Sequence, residues 1–361
     1  MIRRKLLILI ESCDRSEAAL ISALPEAGYD VYLVCPPSVA GSPGLSSSAI
    51  KIYKRDFKSR FDLSSAMFVR NLIKAHGIDC VYAPRNNTLG IGVLASIGMS
   101  NKLVGYRGTT HHLRWYDPAS LITYLNPRVD RIVCVSDAVK SFLSGMGVPT
   151  HRLIRIYKGH DIRWYSDLVK PTKAELGISS DDFTVCFTGN IRPVKGCDIL
   201  LEALKMIPRD KHVMAVFVGE CRDPKVTSMM QSVEIKDRIK FLGFRKDAAA
   251  ISGMCDVFVM PSLKREGLPR AVIEAMAQGV PAIVSRVGGM PELVEDGKSG
   301  MIVTPGDPKA LADAVMKMQA DPAFRKQCSA NARIRIERDF NITKTIEQFS
   351  AMFLDVTGSK S

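Results

Sequence analysis

The stretch Asp256–Ala277 reads DVFVMPSLKREGLPRAVIEAMA and joins three kinds of local sequence in one run. Val257–Met260 is short and apolar, which is typical of a buried strand. A charged loop follows, and Pro269 stands where a helix begins, because the first turn of a helix needs no hydrogen bond from that backbone nitrogen. A strand, a loop and a helix in this order form the repeating unit of a parallel sheet covered by helices.

The same alternation continues in both directions along the 361 residues. Seven strand candidates precede residue 158 and six follow residue 182, and the segment 159–180, with Pro171 and Gly177, interrupts the rhythm as a linker. We therefore predict an α/β protein with two Rossmann-like domains, 1–165 and 166–340, and a last helix in 341–361 that crosses back to the N-terminal domain. Two such sheets place a ligand at the carboxyl ends of their strands, in a cleft between the domains.

The positive charge is concentrated in the first half of the chain. Residues 1–165 hold 22 Lys and Arg against 12 Asp and Glu, whereas residues 166–361 hold 28 against 25. A basic domain suits an anionic membrane surface, an anionic acceptor or nucleic acid. The basic segments lack interleaved aromatic residues and the chain has no helix-turn-helix signature, so we expect no nucleic-acid partner.

Targeting and metal-binding signals are weak. The apolar run Leu6–Ile10 is five residues long and is followed by Glu11 and Asp14, which indicates a buried strand rather than a signal peptide. No run approaches the ~20 apolar residues of a spanning helix, and we expect a cytoplasmic protein. The nine cysteines form no C-x-x-C pair and no zinc spacing, so we expect reduced thiols and no metal site.

Two segments of the second half carry the candidate chemistry. The first reads FTGNIRPVKG over 187–196, where Arg192 and Lys195 precede a predicted helix. Cations and the free amides at a helix start form an anion site that suits a nucleotide diphosphate, although an ordinary solvated loop has the same composition.

The second segment contains two acids, Glu266 before the predicted helix and Glu274 in its second turn. Gly267 permits close approach of the backbone to a ligand. An acid that accepts hydrogen bonds from sugar hydroxyls, next to helix amides, would make a sugar-nucleotide site. The alternative is that Glu266 caps the helix and Glu274 lies on a solvated face.

Glu266 and Glu274 are separated by seven residues, and this spacing resembles the E-x7-E pattern of retaining glycosyltransferases with the GT-B fold. The chain most resembles glycosyltransferase family 4 over residues 183–340. The further motifs that carry the resemblance are Gly189…Lys195-Gly196, Asp256–Ser262, Gly279–Pro281, Gly288–Leu293 and Asp296-Gly297…Gly300, with Lys158–Asp161 at the position of the interdomain hinge.

The resemblance implies specific donor contacts. Lys195 would hold the diphosphate, Glu274 the ribose hydroxyls and Glu266 the hydroxyls of the transferred sugar. The backbone of Gly267, Leu268, Pro269 and Arg270 would meet the phosphates or the sugar, and the loops near Gly219 and Phe244 would face the base. Asn190 stands where the family usually has an arginine, and we expect Arg192 to supply that charge.

The first half offers candidates for the catalytic side and the acceptor. Arg107, His111 and His112 follow a predicted strand, and the resemblance implies that one histidine contacts the donor sugar. We favour His111 as this catalytic contact, although a surface loop with solvated histidines would have the same sequence. Arg85 is a second candidate, and Asp14 lies in the loop that replaces the family's usual glycine-rich turn.

The resemblance implies front-face displacement with retention, in which the leaving diphosphate takes the proton of the acceptor and no metal is required. We expect a glycan or lipid-linked acceptor from cell-envelope polysaccharide or lipopolysaccharide synthesis, and peripheral contact with the inner face of the plasma membrane. The helix 62–76 has an apolar stripe that fits core packing better than membrane anchoring. The candidate contacts with a lipid-linked or anionic polysaccharide acceptor at the inner leaflet are Arg3, Arg4, Lys51, Lys54, Arg55, Lys58 and Arg60. A catalytically inactive partner subunit that binds sugar nucleotides is the alternative function.

Overall fold

The computed structural model describes residues 3–42, 44–45, 48–111 and 113–358. The chain divides into two compact units. The first unit runs to Gly159 and includes the chain from Ile342 onward, and the second unit is His160–Asn341.

The first unit is built on a seven-stranded sheet in the order β3-β2-β1-β4-β5-β6-β7, and all its strand pairs are parallel. The order reverses between β1 and β4, which is where an open parallel sheet leaves a crevice at the carboxyl ends of its strands. Its strands are β1 (Arg4–Leu9), β2 (Tyr29–Cys35), β3 (Ile50–Lys54), β4 (Cys80–Ala83), β5 (Lys102–Arg107), β6 (Arg131–Cys134) and β7 (Leu153–Arg155). Its helices are α1 (Arg15–Ala23), α2 (Pro37–Ala40), α3 (Leu63–His76), α4 (Asn86–Ala95), α5 (Pro118–Leu121), α6 (Asp137–Gly145) and α14 (Ile342–Thr357).

The second unit has a six-stranded parallel sheet in the order β10-β9-β8-β11-β12-β13, which reverses between β8 and β11. Its strands are β8 (Phe183–Thr188), β9 (Val213–Val218), β10 (Ile239–Phe241), β11 (Val257–Met260), β12 (Ala282–Ser285) and β13 (Gly300–Val303). Its helices are α7 (Cys197–Met206), α8 (Pro224–Met230), α9 (Ala248–Met254), α10 (Arg270–Ala277), α11 (Met290–Leu293), α12 (Pro308–Ala320) and α13 (Pro322–Asp339). The two parallel sheets confirm the predicted fold class.

The segment 159–180, which we expected to be a linker, is largely part of the second unit. Ile162–Tyr165 forms a helical turn that packs against α10 and α13, and Tyr165 is buried. The backbone N–H of His160 donates to Phe340 at 2.7 Å. Leu176 and Ile178 are also buried, and the boundary between the units lies at residue 159, six residues before the expected position.

The last helix packs on the sheet of the first unit. Phe349, Met352 and Phe353 of α14 are buried in the same core as β1, β2 and β4. The Thr345 hydroxyl accepts the N–H of Gly159 at 2.9 Å and donates to the carbonyl of Tyr157 at 2.8 Å. These contacts attach α14 to the carboxyl-terminal end of the first unit's main segment.

No helix in the described ranges is both long and apolar enough to cross a membrane. All nine cysteines are free thiols, and seven of them are buried.

Candidate functional site

A cavity of about 600 Å³ opens in the second unit at the carboxyl end of its sheet. Loops after β8, β9, β10 and β11 contribute to it together with the start of α10, as the strand order predicts for a ligand site. The residues that line it are Thr188, Gly189, Asn190, Arg192, Lys195, Val218, Gly219, Phe244, Arg245, Lys246, Ala248, Ala249, Met260, Glu266, Pro269, Arg270, Ala271 and Glu274.

Lys195 and Glu266 meet in this cavity although 71 residues separate them. The Lys195 ammonium lies 2.7 Å from Oε1 of Glu266, and the Ser262 hydroxyl donates to the same oxygen at 2.6 Å. Glu266 is 7% exposed and Ser262 is fully buried. A buried carboxylate needs such partners, and the two donors fix the position of the Glu266 side chain.

Two glycines let the loops of this site pack backbone to backbone. A Cβ on Gly288 would collide with the carbonyl oxygen of Glu266, and a Cβ on Gly196 would collide with the carbonyl of Pro261. Both glycines have positive φ, 56° for Gly288 and 66° for Gly196. The loops after β8 and β11 therefore keep close contact, and this contact holds Lys195 next to Glu266.

The helix α10 places Glu274 and Arg270 on the wall of the cavity. The Arg270 guanidinium lies 3.1 Å from the Glu274 carboxylate, one helical turn away. Pro269 is the N-cap residue and provides no side-chain acceptor, so the first amides of α10 have no side-chain cap. Amides at a helix start favour an anion.

Of the other residues that we expected to contact the donor, some line the cavity and some do not. Arg192 and Asn190 line the cavity with exposed side chains, and Phe244 is 68% exposed at its edge. Gly267 and Leu268 precede α10 but are not among the residues that line the cavity.

A smaller cavity of about 490 Å³ lies in the first unit after β1, β4 and β5. It is lined by Glu11, Arg60, Pro84, Arg85, Asn86, Asn87, Tyr106, Arg107, Gly108, Thr109, His111 and Tyr124. Three arginines and one acid thus surround it.

Arg85 and Asp14 are both engaged in a network of ion pairs. Both terminal nitrogens of Arg85 bind Glu17 at 2.7 Å. Burial alone would lower the pKa of Arg85, but the bonds to Glu17 outweigh it and raise the pKa. Asp14 caps α1 and pairs with Lys158, which also lies 3.6 Å from Glu17. Asp14 does not line the cavity, although Arg85 does.

Cys13 lies beside this network. Burial, with the nearby Glu17 and Asp14 carboxylates, raises the pKa of its thiol to about 12. The group is therefore a neutral thiol at physiological pH and a poor nucleophile.

Arg107, the last residue of β5, is hydrogen-bonded to His111 in the loop that follows this strand. The Arg107 guanidinium donates to the carbonyl of Thr109 at 3.0 Å and to the carbonyl of His111, and it lies 4.7 Å from the centre of the Tyr124 ring. The His111 Nδ1 lies 3.1 Å from the Thr109 hydroxyl. His112 is outside the described residues.

Sequence reasoning missed Ser262, Glu17 and Lys158. Ser262 had a local signal, since it directly follows a buried strand and stands four residues before Glu266. Glu17 had none, and the motif Lys158–Asp161 did not indicate that Lys158 pairs with Asp14, because these partners are distant in the sequence. Among the described residues no cluster of three or more His, Cys, Asp or Glu side chains could hold a metal ion.

Two family models match consecutive parts of the chain. A model described as "Glycosyltransferase Family 4" matches residues 15–164, and one described as "Glycosyl transferases group 1" matches residues 169–335. Together they cover every strand except β1 and all the residues that line the cavity of about 600 Å³.

Curated relatives are similar at low identity. The chain is 24% identical to the UDP-Gal:alpha-D-GlcNAc-diphosphoundecaprenol alpha-1,3-galactosyltransferase of Escherichia coli over 99% of this chain and 97% of that protein. It is 28% identical to the N-acetyl-alpha-D-glucosaminyl L-malate synthase of Bacillus anthracis over 61% of this chain, and this alignment covers 60% of that protein.

Solved structures share the fold. HepE of Anabaena in complex with UDP matches with a TM-score of 0.81 and 23% identity, over 98% of this chain and 100% of that chain. WaaG, a glycosyltransferase involved in lipopolysaccharide biosynthesis, matches with a TM-score of 0.71 and 15% identity, over 98% and 100% of the two chains.

Proposed function

This chain belongs to glycosyltransferase family 4, a family of retaining, nucleotide-sugar-dependent enzymes with the GT-B fold, and we propose that it transfers a hexose from a UDP-sugar to a glycan or lipid-linked acceptor. The cavity of the second unit that contains Lys195 and Glu266 is the donor site in this proposal. Its volume of about 600 Å³ lies in the usual range for small-molecule sites.

The observation that carries the proposal is the Lys195–Glu266 ion pair on the wall of that cavity. Glu266 Oε1 already accepts from Lys195 and Ser262, and Oε2 is the oxygen that would accept hydrogen bonds from hydroxyls of the donor sugar. Lys195 retains further N–H donors for a phosphate oxygen, because an ammonium has three. One pair of side chains would thus contact both the sugar and the diphosphate.

Glu274 and the start of α10 would hold the rest of the donor. The Glu274 carboxylate would accept hydrogen bonds from the ribose hydroxyls, with Arg270 orienting it at 3.1 Å. The uncapped amides of α10 would face the diphosphate, where a helix start stabilises negative charge. Phe244 would lie against the base.

The proposed reaction is a front-face displacement. The acceptor hydroxyl oxygen bonds to the anomeric carbon while the bond from that carbon to the β-phosphate oxygen breaks, and the leaving diphosphate takes the hydroxyl proton. Lys195 and Arg192 would stabilise the charge that develops on the leaving group. These two cations can take the role of a divalent ion, so we expect activity without an added metal. His111 as a contact of the donor sugar remains a prediction.

The relatives support a UDP donor and an envelope acceptor. HepE binds UDP, the E. coli relative acts on a diphosphoundecaprenol-linked sugar, and WaaG takes part in lipopolysaccharide synthesis. We extend these properties to this chain as the proposed donor and acceptor classes.

A membrane-facing surface would fit a lipid-linked acceptor. Phe61, Leu63 and Met67 are 51%, 70% and 58% exposed at the start of α3, and Lys54 and Lys58 are exposed just before them. Apolar side chains next to lysines are typical of contact with anionic lipid. We call these five residues the α3 surface and propose that it meets the membrane.

Calorimetric titration tests the donor site. We expect UDP to bind more tightly than GDP, ADP or CMP, and Glu274→Ala to weaken UDP binding by about tenfold or more because charged hydrogen bonds to the ribose are lost. Glu202→Ala on α7 is the matched control, since Glu202 pairs with Lys205 away from the cavity.

Equal UDP affinity in wild type and Glu274→Ala would contradict the ribose role. Turnover distinguishes an active enzyme from the alternative of an inactive subunit. An inactive subunit would bind UDP-sugar but would neither transfer nor hydrolyse the sugar, whichever acceptor is added.

A further inference from the structure

The smaller cavity of the first unit contains cations that the ion-pair network leaves uncompensated. Arg85 is neutralised by Glu17, but among the described residues neither Arg60 nor Arg107 forms an ion pair. Glu11, the acid of the lining, accepts a hydrogen bond from Asn87 at 2.8 Å.

Arg107 is the more unusual of the two cations because it is buried. It is 4% exposed, and its partners are two neutral carbonyls and the face of Tyr124. Desolvation of a charged group is costly unless an opposite charge accompanies it. The site thus has a buried positive charge next to an open cavity of about 490 Å³, where an anion would be stabilised.

Arg60 is held at the cavity by a close backbone contact. A Cβ on Gly90 of α4 would lie 2.6 Å from the carbonyl oxygen of Arg60 and 2.7 Å from its Cβ. Such distances do not occur between real side chains and backbone, so Gly90 is required for the segment before α3 to rest on α4. The contact places the Arg60 side chain on the wall of the cavity.

The start of α4 provides a second feature that favours anions. Arg85 is its N-cap residue and has no acceptor for the first amides of this ten-residue helix. Asn86 and Asn87, the first two residues of the helix, line the cavity. The positive end of the helix therefore faces the same space as Arg60 and Arg107.

We propose that this cavity binds an anionic substituent of the acceptor, a phosphate or a carboxylate, with Arg60 and Arg107 as the residues that select it. The proposal rests on the proposed glycosyl transfer and narrows the acceptor to one that carries a negatively charged group. Arg60 and Arg107 are binding residues here, with no part in bond making.

The test is calorimetric titration of the whole chain, with UDP present at saturation so that the donor cavity is filled. The probes are inorganic phosphate, D-glucuronate and, as a neutral comparison, D-glucose. We expect wild type to bind at least one of the two anions and not glucose, and the preferred anion identifies the phosphate or the carboxylate. Arg60→Gln and Gly90→Ala should each weaken anion binding by about tenfold or more.

Lys74→Gln is the control, because it removes one exposed positive charge of the first unit outside the cavity. Arg107→Gln is not sufficient alone, since its guanidinium also holds the loop after β5. Binding of neither anion to wild type, or equal anion binding to wild type, Arg60→Gln and Gly90→Ala, would overturn the proposal. The UDP titration itself reports separately on the donor site, so failure of the proposed function is distinguishable.

Discussion

At the scale of single residues, several contacts fix Glu266 on the wall of the cavity that we propose as the donor site. Its carboxylate is almost fully buried and accepts from both Lys195 and Ser262 on one oxygen. Its backbone carbonyl contacts Gly288 so closely that a side chain there has no room. The position of the carboxylate thus depends on residues from three separate loops.

Gly288→Ala should therefore reduce turnover strongly. The new Cβ would push the Glu266 backbone away, and a displacement of about 1 Å in a catalytic site can cost on the order of 100-fold in rate. Gly297→Ala is the matched control, since Gly297 has a similar φ of 72° but nothing within 4 Å of an added Cβ.

Initial rates of sugar transfer or donor hydrolysis, with thermal unfolding measured beside them, separate the two glycines. Both variants share the strain of a positive φ, which costs about 1 kcal/mol of stability, and the collision with Glu266 should destabilise Gly288→Ala further. Equal rates for Gly288→Ala and Gly297→Ala would show that the close contact with Glu266 does not matter for turnover.

Residue types and spacing indicated part of this site in advance. Lys195, Glu266 and Glu274 stood out because charged residues follow buried strands at the points where parallel sheets expose their loops. Ser262 was missed because a serine after a strand is common in loops. The engagement of Arg85 by Glu17 could not be foreseen, since such a pair depends on how two distant loops pack.

At the scale of elements, α14 is an integral part of the first unit's core. Phe353 is fully buried, and its ring lies edge-on to Tyr82 and Tyr29 with centroids 5.7 and 6.1 Å away. Aromatic pairs of this geometry stabilise a core beyond the area that they bury.

Phe353→Ala should destabilise the protein by about 3–5 kcal/mol, because the truncation removes a large buried ring and leaves a cavity. The neighbouring Leu354 is 53% exposed, and Leu354→Ala should change the free energy of unfolding by about 0.5 kcal/mol or less. Urea unfolding followed by circular dichroism measures both variants, and similar midpoints would contradict the packing role of α14.

Strands were the elements that the sequence indicated best. The structure has the seven strands expected before residue 158 and the six expected after residue 182, because short apolar runs bounded by loops leave little alternative in a buried parallel sheet. The helices α2, α5, α8, α9 and α11 were not predicted. They are four to seven residues long, and a helix of one or two turns has too few residues to display an apolar period.

The prediction that the segment 159–180 is a linker was wrong for a related reason. Its Pro, Gly and charged residues are typical of loops, but Tyr165, Leu176 and Ile178 are buried in the second unit. The composition of the segment 159–180 correctly indicated an irregular backbone, but it did not indicate that the segment packs on the second unit.

At the scale of the whole molecule, the charge of +13 is distributed unevenly along the chain, with most of the excess before residue 166. The stripe of α3 that we expected in the core is divided in the structure. Leu72 and Ile73 are buried, whereas Leu63 and Met67 are exposed as part of the α3 surface. The exposed part lies next to lysines, which supports the proposed contact with anionic lipid.

The affinity for vesicles that contain an anionic phospholipid should fall as the salt concentration rises. Added ions screen the attraction between exposed charges, with a screening length of ~10 Å at 0.1 M salt. Leu63→Ser combined with Met67→Ser should weaken binding further at every salt concentration, since the apolar contact is lost. Ile97→Ser is the control, as Ile97 is 58% exposed elsewhere on the first unit. Co-sedimentation that is independent of salt and unchanged in the double variant would contradict this surface.

We propose that Lys195, held by Glu266, stabilises the leaving diphosphate of a sugar nucleotide. The most direct measurement is the turnover rate of Lys195→Ala with saturating UDP-sugar, compared with Lys309→Ala, whose lysine is 76% exposed on α12. We predict a loss of about 100-fold or more for Lys195→Ala, the cost of removing one group that stabilises developing charge, and no change for Lys309→Ala. A Lys195→Ala enzyme that turns over at the wild-type rate would contradict the claim.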